Sequence, residues 1–171
     1  MLLDFVSGRV EEVIRRYGLL SPADLAREVG VVSVKLPLRS AHGISFSVDG
    51  KRVVFVDASL PPARQDGVLV HEVGHQVLHP GEVRFHLRRF HRGVSWKREA
   101  EVNLFALLYL LAWNRELFEA CGYNLYAFAE AHGVPLGAAE YLARAARLRG
   151  PGFLRELGVE VPGYEGDVAC S

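Results

Sequence analysis

The run His71-Glu72-Val73-Gly74-His75 sets two imidazoles four residues apart with a carboxylate beside the first. On an α-helix, positions four apart lie about 40° apart around the axis and roughly 6 Å apart along it, so both rings can reach one ion. Zinc takes nitrogen ligands at about 2.0–2.1 Å. At catalytic sites it keeps one position for water, whose pKa falls to about 7. Glu72, next to the first histidine, is placed to accept that water's proton and pass it to a departing amine. The chemistry this spacing predicts is hydrolysis of a peptide bond.

Composition alone would produce such a five-residue match by chance in about 2% of chains of this kind, so context must strengthen it. A catalytic zinc site needs a third protein ligand. His79 lies eight positions after His71, about 12 Å along a continuous helix, too far to share an ion that His75 also binds. The sixth position after His75 is Gly81, which has no donor. The remaining choices are Glu99 and Glu101, in the run Lys97-Arg98-Glu99-Ala100-Glu101-Val102-Asn103-Leu104-Phe105-Ala106.

These residues need elements to hold them. Residues 3–17 have the apolar spacing of a helix, and a second helix starts where Ser21 can cap free amides with Pro22 in the first turn, ending at Gly30. Val31 to Leu36 is rich in β-branched residues. Ile44 to Val48 and Arg52 to Asp57 flank Asp49-Gly50, a two-residue hairpin signal. The motif helix is expected over Ala63 to His79, closed by Pro80-Gly81. Residues 82–95 show no clear period. A long apolar helix is expected from Ser95 to Glu119, then two short helices, Leu125 to Ala131 and Leu136 to Leu148, joined like a helix-turn-helix by His132-Gly133-Val134-Pro135. The expected fold class is α+β: a small antiparallel or mixed sheet with a hairpin, packed against an active-site helix and a glutamate helix. The expected division is a peptidase domain over residues 1–120, a helical annex packed on it over 121–150, and a tail over 151–171.

His-Glu-Val-Gly-His followed by Val77-Leu78-His79, then Glu-x-x-x-Asn-x-Phe-Ala some twenty residues later, resembles the ImmA/IrrE family of gluzincin-like metallopeptidases. The resemblance spans about residues 19–118. It implies a zincin fold, one Zn2+ (with Mn2+ the alternative in the cell) held by His71, His75 and a downstream glutamate, and limited proteolysis of helix-turn-helix repressors in stress responses or mobile-element induction. The chain departs from the family pattern after its apolar run, where Leu111-Ala112-Trp113 stands in place of the usual Met-Pro.

Between the two carboxylates, Glu99 is the expected ligand. Positions two apart on a helix point about 160° away from each other, so only one of the pair can face the ion. Glu99 shares a stripe with Asn103, whose amide can support a ligand by hydrogen bonding, whereas Glu101 shares one with Phe105 and Leu108. The Glu-x-x-x-Asn order is also what the resemblance leads one to expect. His79 is expected to support the site from behind rather than bind the ion. His86, His91, Tyr109 and Tyr123 are candidate donors to a developing oxyanion, with nothing to choose among them.

Bulk properties agree with this reading. The 171 residues are 50% apolar and carry 20 Lys and Arg against 20 Asp and Glu, so no net charge recommends a nucleic acid or an anionic membrane as partner. Arg144, Arg147 and Arg149 raise the alternative of a DNA-binding or protein-interaction regulator with a non-catalytic zinc site. The acidic Glu130 and Glu140 in the same helix pair argue against direct DNA contact. Two distant cysteines, Cys121 and Cys170, the lack of a signal-peptide pattern at the N-terminus, and an apolar run too short to span a bilayer lead to an expected cytoplasmic address.

Overall fold

The computed structural model of the chain describes residues 2–48, 51–80, 96–150 and Phe153. Two helices, α1 (Leu2–Tyr17) and α2 (Pro22–Glu28), precede strands β1 (Val31–Leu36), β2 (Gly43–Val48) and β3 (Lys51–Asp57). Helices α3 (Pro62–Leu78), α4 (Trp96–Trp113), α5 (Arg115–Ala120), α6 (Leu125–His132) and α7 (Leu136–Arg149) follow. The fold is α+β, as expected, and the sheet is mixed. β3 lies in the centre, antiparallel to β2 from Val48↔Lys51 to Gly43↔Val56, and parallel to β1 from Val31↔Arg52 to Leu36↔Asp57. The register closes the expected hairpin around positions 49 and 50, which lie outside the described residues.

Side-chain chemistry explains the element boundaries. Ser21 caps α2 by accepting the Asp24 amide, with Pro22 in the first turn where its missing N–H costs nothing. Asp57 ends β3 and turns the chain into α3: its Oδ1 accepts from the Leu38 amide and from the amide and hydroxyl of Ser59. These hydrogen bonds hold the Asp57 carboxyl below the usual carboxylate range, the Ser59 amide contributing most.

The core forms where α3 lies between the sheet and α4. Every residue of α4 from Leu104 to Leu111 is buried, which makes it the apolar-all-round central helix that only a surrounding shell can accommodate. One flank is covered by Leu3, Val6, Val10 and Val13 of α1, spaced at three and four residues. Phe128, Ala129, Leu142 and Ala146 of α6 and α7 join the same core. Two glycines permit the close approach of α3 to its neighbours. A β-carbon on Gly74 would meet Phe105 and Val102 of α4 at 3.1 Å, and one on Gly67 would stand 1.8 Å from the His132 carbonyl oxygen at the end of α6.

The expected single helix from Ser95 to Glu119 is in fact two. The chain breaks at Asn114 (φ −110°, ψ 61°), whose side chain accepts the Leu117 amide and so starts α5 as a new helix. Among the described residues, no helix is long and apolar enough to cross a membrane.

Candidate metal centre and its cleft

His71 and His75 project from the same side of α3 toward α4, and Glu99, in the first turn of α4, meets them. The two Nε2 atoms are 3.2 Å apart, and Glu99 places Oε1 3.4 Å from Nε2 of His75 and Oε2 3.7 Å from Nε2 of His71. One ligand atom from each residue falls within 4.8 Å of both others. A tetrahedral shell with bonds of about 2.0–2.2 Å has ligand-to-ligand edges of roughly 3.3–3.6 Å, so these separations bracket what a single ion of that kind requires. Glu99 Oε1 is buried and accepts no hydrogen bond within the protein. A buried carboxylate oxygen facing two imidazole nitrogens fits a cation between them, and this set of two nitrogens and one oxygen suits zinc.

Behind the donors, Nδ1 of His71 donates to Oδ1 of Asn103 at 3.0 Å, one turn beyond Glu99. That bond puts the ring proton on Nδ1 and leaves the Nε2 lone pair pointing at the cluster. Glu101 points elsewhere: its Oε2 lies 3.2 Å from Nε2 of His79, too obliquely for a hydrogen bond, and its Oε1 lies 3.9 Å from Lys97 Nζ. The structure therefore brings Glu99 and Asn103, but neither Glu101 nor His79, to the two motif histidines.

Glu72 is buried beside the cluster, and Nη1 of the equally buried Arg52 on β3 stands 3.3 Å from its Oε2. Sequence reasoning missed Arg52. From Val53 to Val56 both faces of β3 are apolar, so alternation could not show that Arg52 turns inward with Val54 and Val56. The pair holds the carboxylate in one place, since a buried charge stripped of its partner is strongly disfavoured.

Glu72, His71, Glu99 and Asn103 line one wall of a cleft of about 260 Å³. His42 and Gly43 at the start of β2, Arg64 of α3, and the His132–Pro135 connection of the helix pair form the other walls. Of the candidate oxyanion donors, His86 and His91 lie outside the described residues. Tyr109 is deep in the core, where its hydroxyl donates to the Leu20 carbonyl and accepts the Leu20 amide, and burial pushes its pKa up to about 12. Tyr123 packs edge-on against Phe118. Neither tyrosine lines the cleft.

A small α+β fold in which two histidines of one helix meet a glutamate of the next defines a zincin-like class of protein. Within that class, residues 26–143 match the peptidase M78 family, described as the IrrE N-terminal-like domain, and the chain belongs to that family. It is thus a metallopeptidase of the ImmA/IrrE kind, which implies a metal ion and a protein substrate. No curated protein and no solved structure matches the chain.

Proposed function

We propose that this protein is a cytoplasmic zinc endopeptidase that cuts a helix-turn-helix repressor by limited proteolysis, in a stress-response or mobile-element switch. The observation that carries the catalytic part is the convergence of His71, His75 and Glu99 beside a cleft that His71, Glu99 and Glu72 line. His71, His75 and Glu99 would hold the ion, which when bound supplies Lewis acidity toward a carbonyl oxygen and toward water. Glu72 is the general base: its carboxylate takes a proton from the attacking water and returns it to the amine nitrogen that leaves. Arg52 keeps that carboxylate in place, and Asn103 keeps the His71 ring in the ligand tautomer. A general base of this kind contributes about 100- to 10,000-fold. Glu72→Gln should therefore retain zinc, measured by metal analysis of the purified protein, while losing peptidase activity by about that factor; a variant as active as the parent would remove Glu72 from this role.

The substrate half of the reading rests on the resemblance and on the sheet edge. Among the described residues β2 is an edge strand that pairs only with β3, and its first residue, Gly43, lines the cleft. An extended peptide could add to that edge through main-chain hydrogen bonds. Cleavage then needs an unfolded segment. The same cleavage sequence locked in a stable helix should resist processing, as followed by mass spectrometry of fragments, and undiminished cleavage there would refute strand pairing.

A further inference from the structure

Arg64 stands in the third position of α3 and faces the cleft that holds His71, Glu72 and Glu99. A cation is unfavourable at a helix N-terminus, where the macrodipole is positive, and the first turn of α3 has no acidic residue to offset it. Among the described residues, the Arg64 guanidinium has neither an ion pair nor a side-chain hydrogen bond. Asp66 is two residues away and so points about 160° around the helix, where Lys35 is its electrostatic neighbour. The stem is nonetheless held: Cγ and Cδ of Arg64 lie over Gly133, where an added β-carbon would be 3.7 and 3.8 Å from them. Any long side chain could cover that glycine, so stem packing does not explain the charge. A positioned cation without a carboxylate, on the wall of a peptide cleft, is placed to receive one from outside.

Arg64 and His71 are seven positions apart. On a helix this is about 10.5 Å along the axis and about 20° around it, so the two share one stripe. An extended peptide advances about 3.3 Å per residue and so covers that distance in about three residues. We propose that Arg64 is a specificity residue, which binds an acidic side chain of the substrate two to four residues from the bond that is cut. The proposal rests on the peptidase reading of the cleft and adds the charge class of its substrate.

The test uses the full chain with zinc and a set of fluorogenic peptides carrying Asp or Lys, one at a time, at each of four positions on either side of the scissile bond. Binding of the same peptides to the Glu72→Gln protein is measured in parallel by fluorescence anisotropy. At one position two to four residues from the bond, Asp should exceed Lys by about ten-fold in kcat/KM and in affinity, the size expected of one charge-assisted hydrogen bond. Arg64→Glu should invert that ratio at the same position, and Arg64→Lys should keep its sign. An Asp-to-Lys ratio near one at every position, or one that Arg64→Glu leaves unchanged, would overturn the proposal. If no peptide is cleaved but the anisotropy ratio appears and inverts, the peptidase reading fails and the charge specificity stands.

Discussion

Histidine meets glutamate twice between α3 and α4, and the two meetings differ in everything except the residue types. Near the start of α4, Glu99 faces two imidazole nitrogens that are 3.2 Å from each other. A short distance further round, Glu101 faces His79 alone, with the Lys97 ammonium near its second oxygen. Glu99 lines the cleft; Glu101 and His79 do not. The first set has three donors and lines a cleft open to solvent. The second has two groups of potentially opposite charge and a lysine. A histidine-carboxylate contact becomes a candidate catalytic metal site when a second nitrogen converges on it and a cleft gives substrate access.

Exchanging which carboxylate is lost should expose that difference most strongly. Glu99→Ala should lower zinc affinity by more than about 100-fold, beyond the range typical for loss of a supporting residue, whereas Glu101→Ala should stay close to the parent. Competition with a chromogenic chelator gives both values. Stability of the metal-free proteins should show the opposite order: Glu101→Ala, which removes a buried side chain and the carboxylate packed beside the His79 ring, should cost about 1–3 kcal/mol in denaturant unfolding, and Glu99→Ala less. Equal zinc loss in the two variants would mean that both contacts serve the metal, and the contrast would collapse.

Much of this contrast could be read from spacing. The four-residue interval of His71 and His75, and the 160° divergence of Glu99 from Glu101, are consequences of helix geometry that survive folding unchanged. Asp49-Gly50 and Ser21-Pro22 marked a hairpin and a helix start because their preferences are local. Asn114 carried a capping signal too, but it sat inside a run whose apolar spacing continued through Leu117 and Phe118, and the stronger periodic pattern masked it. The parallel pairing of β1 with β3 left no local trace, since it depends on β3 taking the centre of the sheet. Arg52 and Arg64 were invisible for a related reason. Each acquires its role from an element distant in sequence, Glu72 for the first and the α6–α7 connection for the second.

A smaller effect separates the two contacts at the level of a single proton. His71 has a fixed tautomer because Asn103 accepts from Nδ1, and this leaves the Nε2 lone pair directed at the cluster before any ion arrives. His79 has no such partner among the hydrogen bonds of the described residues, and its Nε2 is buried without one. If the metal centre depends on this preparation, Asn103→Ala should weaken zinc binding by about ten-fold, the low end of the range for a residue that orients a ligating histidine. Asn103→Asp retains an oxygen acceptor at the same place and should recover most of the loss. Asn103→Leu fills the space without an acceptor and should behave like the alanine variant, which separates hydrogen bonding from packing. Zinc affinity measured across the three variants decides the point: if leucine binds as tightly as asparagine, the amide contributes volume alone, and the His71 ring takes its orientation from α3 and Glu99 instead.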